Sequence, residues 1–302
     1  MALNDSPTGR RNFGPRVDLM LLPDRVLPAS TRKVIHGFYA IVGLVLARKN
    51  IAHSREYLRL VTGRPPGIIG AWRHYRSLIA SLHRKLRVSA GEPAGFRIRN
   101  PESMADFDAI SAAREPALFG TFHVGDSDLL GFMLSERYDR PLSMVRLRVG
   151  NSSDIDRLAA RFSGKVRFIW VNRPEDTLLA LKDAVLAGDS VALQCDRLEH
   201  AANAEPFRFL GARRLFPFSI YRLALIFNRP VLFAFSMPDA DGSPGVIVSD
   251  AFRPDPAATR EDNLAEARRH FQRVLDTLES ELRANPTQWF NFTPMNTAVS
   301  EK

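Results

Sequence analysis

The chain has 302 residues, 45% hydrophobic and 25% charged, enough to bury a sizeable core and too apolar for a disordered chain. A single cysteine, Cys195, excludes an internal disulfide framework and fits a reducing compartment. The 42 Lys and Arg against 33 Asp and Glu give +9, an excess that fits nucleic acid, an anionic membrane surface, or an acidic protein or substrate as partner.

The first 100 residues read as helical. Met1 to Asn12 is polar and basic, without the apolar core of a secretory signal. Ser30 and Thr31 can cap a helix running to Asn50. Within it Val34 to Ala47 is apolar, but it falls short of the ~20 residues that a bilayer requires. It reads either as a buried core helix or as an interfacial helix lying on a membrane surface. A short helix over Ser54–Leu60 ends at Gly63, and Pro65 and Pro66 open another from Gly67 to about Val88. Its apolar positions, Trp72, Tyr75, Leu78, Ile79, Leu82 and Leu86 among them, recur every three or four residues. Arg73, Arg76, Arg84, Lys85 and Arg87 make the other side cationic, as a solvated face or as a binding one.

From about Pro116 short apolar runs alternate with helix-period stretches. Strands are predicted at Ala117–Phe122, Leu142–Leu147, Val166–Val171, Ser190–Cys195, Val231–Ser236 and Gly245–Val248. Helices are predicted at Ser127–Arg137, Ser153–Phe162, Pro174–Ala187, Phe216–Phe227 and Glu261–Ala284. The fold class is therefore α/β: a largely parallel mixed sheet flanked by helices, with a helical N-terminal elaboration. Residues 1–100 form that elaboration and 101–302 the α/β domain, as one structural unit with no linker between them.

In such sheets chemistry sits at the carboxyl ends of the strands. His123 follows the run ALFGTF and is trailed by Gly125, Asp126 and Asp128. A histidine so placed can act as a base while a carboxylate fixes its tautomer. Positions five apart in a continuous helix lie ~140° apart around the axis. His123 and Asp128 can therefore meet only if His123 is on the loop and Asp128 in the first helical turn, with Gly125 supplying the bend. Asp126 is the rival, as helix cap or as the orienting carboxylate. His123 can also be a structural strand-end residue. No second cluster of His or Cys completes a metal site.

The His-x4-Asp pattern after a strand resembles the lysophospholipid acyltransferase superfamily, and the later stretches resemble its bacterial late lipid A acyltransferase branch, closest to the proteins associated with aryl polyene and pigment lipids. The stretches that carry this are Arg55–Pro66, Gly120–Asp128, Leu193–Arg197, Phe207–Pro217, Leu223–Phe233 and Asn285–Phe292, in order. Three features depart from the pattern: Phe218-Ser219 follows Phe-Pro, the arginine-bearing stretch before Asn151 is irregular, and the N-terminal anchor helix common in that branch is reduced to Val34–Ala47.

The resemblance implies an O-acyltransferase. A fatty acyl chain moves from an acyl carrier protein or coenzyme A thioester to a hydroxyl of a lipid or glycolipid, with no cofactor and no metal. His123 is then the general base and Asp128 its partner. Gly125 and Asp126 at the helix start, Arg146 and Arg148 after a strand, and Asp196 and Arg197 after another are candidates for the oxyanion or for substrate. Asp196 and Arg197 fall near His123 if their strands are neighbours, paired with each other or contacting the acceptor. Cys195 is not required as a nucleophile, because the thioester is already activated. The implied partners are acyl carrier protein, the lipid acceptor and the anionic cytoplasmic face of the bacterial inner membrane, where the protein is peripheral. The N-terminal helices then face the membrane and the acyl pocket. The other readings are a catalytically inactive lipid-pathway scaffold and a basic nucleic-acid-binding protein; no recognisable nucleic-acid-reading motif supports the second, and nucleic acid is not an expected partner.

Overall fold

The structure, a computed structural model, describes residues 28–46, 48–89, 91–138, 141–146, 165–170, 174–198, 201 and 203–299. Three helices come first: α1 (Ala29–Leu46), α2 (Arg48–Thr62) and α3 (Ile68–Ser89). Strand β1 (Arg97–Ile98) and helix α4 (Met104–Ala112) lead into the α/β part. There follow β2 (Leu118–Thr121), α5 (Ser127–Tyr138), β3 (Leu142–Arg146), β4 (Val166–Trp170), α6 (Pro174–Leu186) and β5 (Ser190–Gln194). The chain ends with β6 (Ala204–Phe209), β7 (Ala212–Pro217), α7 (Ser219–Phe227), β8 (Val231–Pro238), β9 (Pro244–Val248) and α8 (Arg260–Ala284).

Seven strands form one sheet in the order β1-β9-β8-β2-β5-β3-β4. Strands β8, β2, β5, β3 and β4 run parallel to one another, and β9 runs antiparallel to β8. Successive residues of β8 enter opposite cores: Val231, Phe233 and Phe235 face one, Leu232 and Ala234 the other. A strand buried on both faces reads as an unbroken apolar run, which is why these strands are visible in the sequence. One core takes α6, α7, α8 and Tyr57 of α2; the other takes α4, α5 and Val88 of α3. The sequence-based fold class is the observed one.

Two elements differ from expectation. The aromatic stretch 204–217 is a separate antiparallel hairpin, β6–β7, turned at Leu210 and Gly211 with φ of 48° and 76°. Helix α1 is half a core helix. Gly37 and Gly43 bring its inner face against Trp72 and Tyr75 of α3, while Val34 (71% exposed), Phe38 (61%), Ile41, Val42 and Val45 line its outer face. No helix among the described residues is long and apolar enough to cross a membrane. The predicted helix Ser153–Phe162 lies outside the described residues.

Candidate active site

The chain leaves β2 for β3 on one side of the sheet, and after β5 it reaches β8 on the other. Strands β2 and β5 are thus neighbours whose carboxyl ends open a crevice. The register Thr121↔Gln194 continues in a bond from the Cys195 N–H to the Thr121 carbonyl at 2.8 Å. His123 and Asp196, the residues just beyond, therefore face one another.

Asp196 Oδ1 lies 2.7 Å from His123 Nδ1, and Asp196 Oδ2 accepts from the His123 backbone N–H at 2.9 Å and from Trp289 Nε1 at 2.8 Å. Burial alone would raise the Asp196 carboxyl. The facing His123 charge and these N–H donors outweigh it and hold the group below the usual carboxylate range. An ionised carboxylate only accepts, so Nδ1 carries a proton, and in the neutral form of the imidazole the lone pair is on Nε2. No hydrogen bond occupies Nε2 among the described residues, and the His123 side chain is 22% exposed while Asp196 is 1% exposed.

The C-terminal segment clamps this loop. The Phe290 N–H donates to the His123 carbonyl and the Gly125 N–H to the Gln288 carbonyl, each at 2.8 Å. Gly125 has φ of +51°, and a Cβ there would stand 2.6 Å from the Ser236 carbonyl oxygen, so both the turn and the close approach demand glycine. Asn296 Nδ2 donates to the Asp196 carbonyl at 3.1 Å. The Trp289 ring is fully buried, edge-on to Tyr57 and Phe209. Its carbonyl accepts from His74 Nε2 at 2.8 Å, and His74 Nδ1 accepts from the Ser54 hydroxyl at 2.8 Å. Burial pushes the His74 pKa down from 6.5 to about 4, against the pull of the Trp289 carbonyl, so this histidine is neutral. A chain of hydrogen bonds thus runs from α2 through α3 and Trp289 to Asp196.

The two acids beside His123 point to α3 instead. Asp128 Oδ2 accepts from Lys85 Nζ at 3.0 Å, and Asp126 pairs with Arg84 at 3.1 Å. Burial raises the Asp126 carboxyl, with Arg84 and Ser81 opposing. The orienting carboxylate expected from the His-x4-Asp spacing is therefore supplied by another strand: β2 lies beside β5, which presents Asp196, while the first turn of α5 carries Asp128 under α3. The Gly125 N–H is committed to Gln288, so it is not an open oxyanion donor. Asp196 does not pair with Arg197, which is exposed and has no ionic partner among the described residues. Arg146 ends β3 with its side chain outside the description, and Arg148 lies outside the described residues. Cys195 is buried, and burial pushes its thiol well up, which makes it a poor nucleophile. Phe207, Phe209, Leu210, Phe216 and Phe218 are core.

Sequence reasoning passed over Asn296, His74 and Ser54, and took Trp289 as part of a chain end tucked onto the core rather than as a site residue. The stretch NPTQWFNF stood out as a signature, but nothing local connects an indole N–H at 289 to a carboxylate at 196. Among the described residues no three His, Cys, Asp or Glu side chains cluster to hold a metal. In comparison with known proteins, no family model matches the chain and no curated protein matches it.

Proposed function

We propose that the protein is an O-acyltransferase that moves a fatty acyl chain from an acyl carrier protein or coenzyme A thioester to a hydroxyl of a lipid or glycolipid. The observation that carries this reading is the 2.7 Å contact between His123 and Asp196 at the carboxyl edge of two adjacent parallel strands, with Nε2 open. Nε2 takes the proton of the acceptor hydroxyl as its oxygen attacks the thioester carbonyl. Asp196 stabilises the imidazolium so formed. The tetrahedral intermediate then collapses, the ester stays on the acceptor, and the departing thiolate recovers the proton from the imidazolium. The acyl group arrives activated, so no covalent acyl-enzyme is needed.

The ordered resemblance from Arg55 to Phe292 supports acyl transfer over other base-catalysed chemistry. The +9 charge suits an acidic carrier protein and an anionic leaflet. The exposed apolar stripe of α1 suits a helix lying on the cytoplasmic face of a bacterial inner membrane.

The test is transfer from radiolabelled acyl carrier protein into a membrane lipid extract. Wild type is expected to label a lipid, and His123→Ala to lower the rate by about 100-fold or more. Equal transfer by His123→Ala removes the base from the mechanism. Label released as free fatty acid alone makes the protein a hydrolase.

A further inference from the structure

Helix α3 forms one wall of a cavity of about 510 Å³, and Gly125 and Asp126, on the loop just after His123, belong to another. Three guanidinium groups line it, those of Arg76, Arg84 and Arg87, at helix spacings of eight and eleven residues that bring them to one side of α3. Asp126 is the one carboxylate among the lining residues, and Arg84 takes it. Arg84 also donates to the Ala94 carbonyl.

The other two cations are less fully engaged. Arg87 Nε is buried without a hydrogen-bond partner, and its ion pair with Glu92 is 3.7 Å long, beyond hydrogen-bond reach. Arg76 has no acidic partner among the described residues. Its guanidinium lies 5.0 Å from the Trp72 ring centre, and Trp72 is itself anchored by its indole N–H to the Gly37 carbonyl at 3.0 Å. Arg76 is thus an exposed guanidinium placed by a ring contact rather than by an ion pair among the described residues. Burial lowers the Arg84 guanidinium and Arg87 pushes the same way, with Asp126 and Glu92 opposing, and the lining still sets three guanidinium groups against one carboxylate.

We propose that this cavity binds a phosphoryl group. A tetrahedral, doubly charged oxyanion offers one edge to each of two guanidinium forks, whereas a carboxylate satisfies only one. That the phosphoryl group belongs to a substrate rests on the acyl-transfer reading; that the cavity binds it does not. Two sources carry a phosphoryl group: a phosphate monoester on the lipid acceptor, whose three free oxygens can meet both forks, and the phosphopantetheine arm of the donor, a singly charged diester that offers one edge. Either would bring a reacting group to the loop that carries His123.

The experiment is titration calorimetry on the full chain with two probes. One is pantetheine 4′-phosphate; the other is dihexanoyl phosphatidate below its micelle concentration. Wild type is compared with Arg76→Gln, with Arg76→Gln/Arg87→Gln, and with Arg73→Gln, a cation of the same helix that does not line the cavity. At least one probe is expected to bind wild type and Arg73→Gln alike, to bind the single variant severalfold more weakly, and to lose about tenfold or more in the double variant at unchanged melting temperature. The probe that binds names the source, and binding of both marks the phosphoryl group itself as what is recognised.

The proposal is overturned if neither probe binds at millimolar concentration. It is equally overturned if Arg76→Gln, which changes an exposed side chain, and the double variant both bind as wild type does, or if Arg73→Gln weakens binding as much as they do. The two readings fail separately. Binding lost in the variants without any acyl transfer leaves the site and removes the function; transfer whose KM values ignore both arginines does the reverse.

Discussion

On the sheet side of the His123 loop, Asp196 is buried and surrounded by the His123 ring, the His123 backbone N–H and the Trp289 indole. On the α3 side, Asp126 pairs with Arg84 and Asp128 with Lys85, and Asp128 is 35% exposed. The first carboxylate is fixed from three directions and cannot move without breaking the C-terminal clamp. The second pair is tied to the long side chains of one helix, and the partly exposed Asp128 contact is of the kind that contributes about 1 kcal/mol or less. Proximity in sequence put two acids beside His123; rigidity came from an acid 73 residues away.

Replacing Asp196 by Asn tests this difference most severely. The amide has one acceptor, which goes to the two N–H donors now on Oδ2, the His123 backbone and Trp289. Its NH2 then faces Nδ1 and donates, which moves the imidazole proton to Nε2 and removes the base. The expected loss of transfer is on the order of 1,000-fold at nearly unchanged fold, read as kcat beside a circular dichroism melt. An Asp196→Asn variant within tenfold of wild type would break the comparison.

How much of this was legible follows from where the information sits. The six predicted strands all occur, within two residues of the expected ends among the described residues, because each is an apolar run between turn residues. The hairpin β6–β7 was missed: Arg213, Arg214 and Pro217 disturb its alternation, and its turn uses Leu210 at a φ of 48° that no residue type announces. The position of His123 at a strand end was legible. Asp196 was legible only as a strand-end candidate that falls near His123 if their strands are neighbours; which acid orients the ring depends on β5 lying between β2 and β3, and strand order is a property of the whole sheet. The bond from Trp289 to Asp196 was out of reach for the same reason.

His74 supplies a prediction of intermediate size, on the path that supports the rigid side. Its pKa lies near 4 when folded and near 6.5 in an unfolded chain, so between these values the unfolded state binds more protons. Stability is complete above pH 6.5 and is lost as pH falls from there towards 4, by about 3 kcal/mol for this group. Burial lowers the His270 pKa too, adding loss in the same direction. In His74→Gln the amide can still donate to the Trp289 carbonyl and accept from Ser54, but it does not titrate. Urea unfolding at pH 7.5 and pH 5 is expected to show a smaller acid loss in the variant. An identical loss in both proteins would mean that His74 is already protonated or solvated in the folded state.

The smallest effect belongs to Asp128, where geometry and sequence pattern part company most sharply. The resemblance makes Asp128 the partner of His123; the structure gives it Lys85 at 3.0 Å. Asp128→Asn leaves the Asp196 contact and the C-terminal clamp in place, and the new amide oxygen can still accept from Lys85. Transfer is expected to stay within about tenfold of wild type and stability within about 1 kcal/mol. Lys85→Met, which removes the cation and keeps the aliphatic stem, is expected to behave like it, since both changes loosen only the tie to α3. If Asp128→Asn instead abolishes transfer while Lys85→Met and Asp196→Asn do not, the roles are reversed: Asp128 must swing from Lys85 to His123 during turnover, and Asp196 only holds the loop.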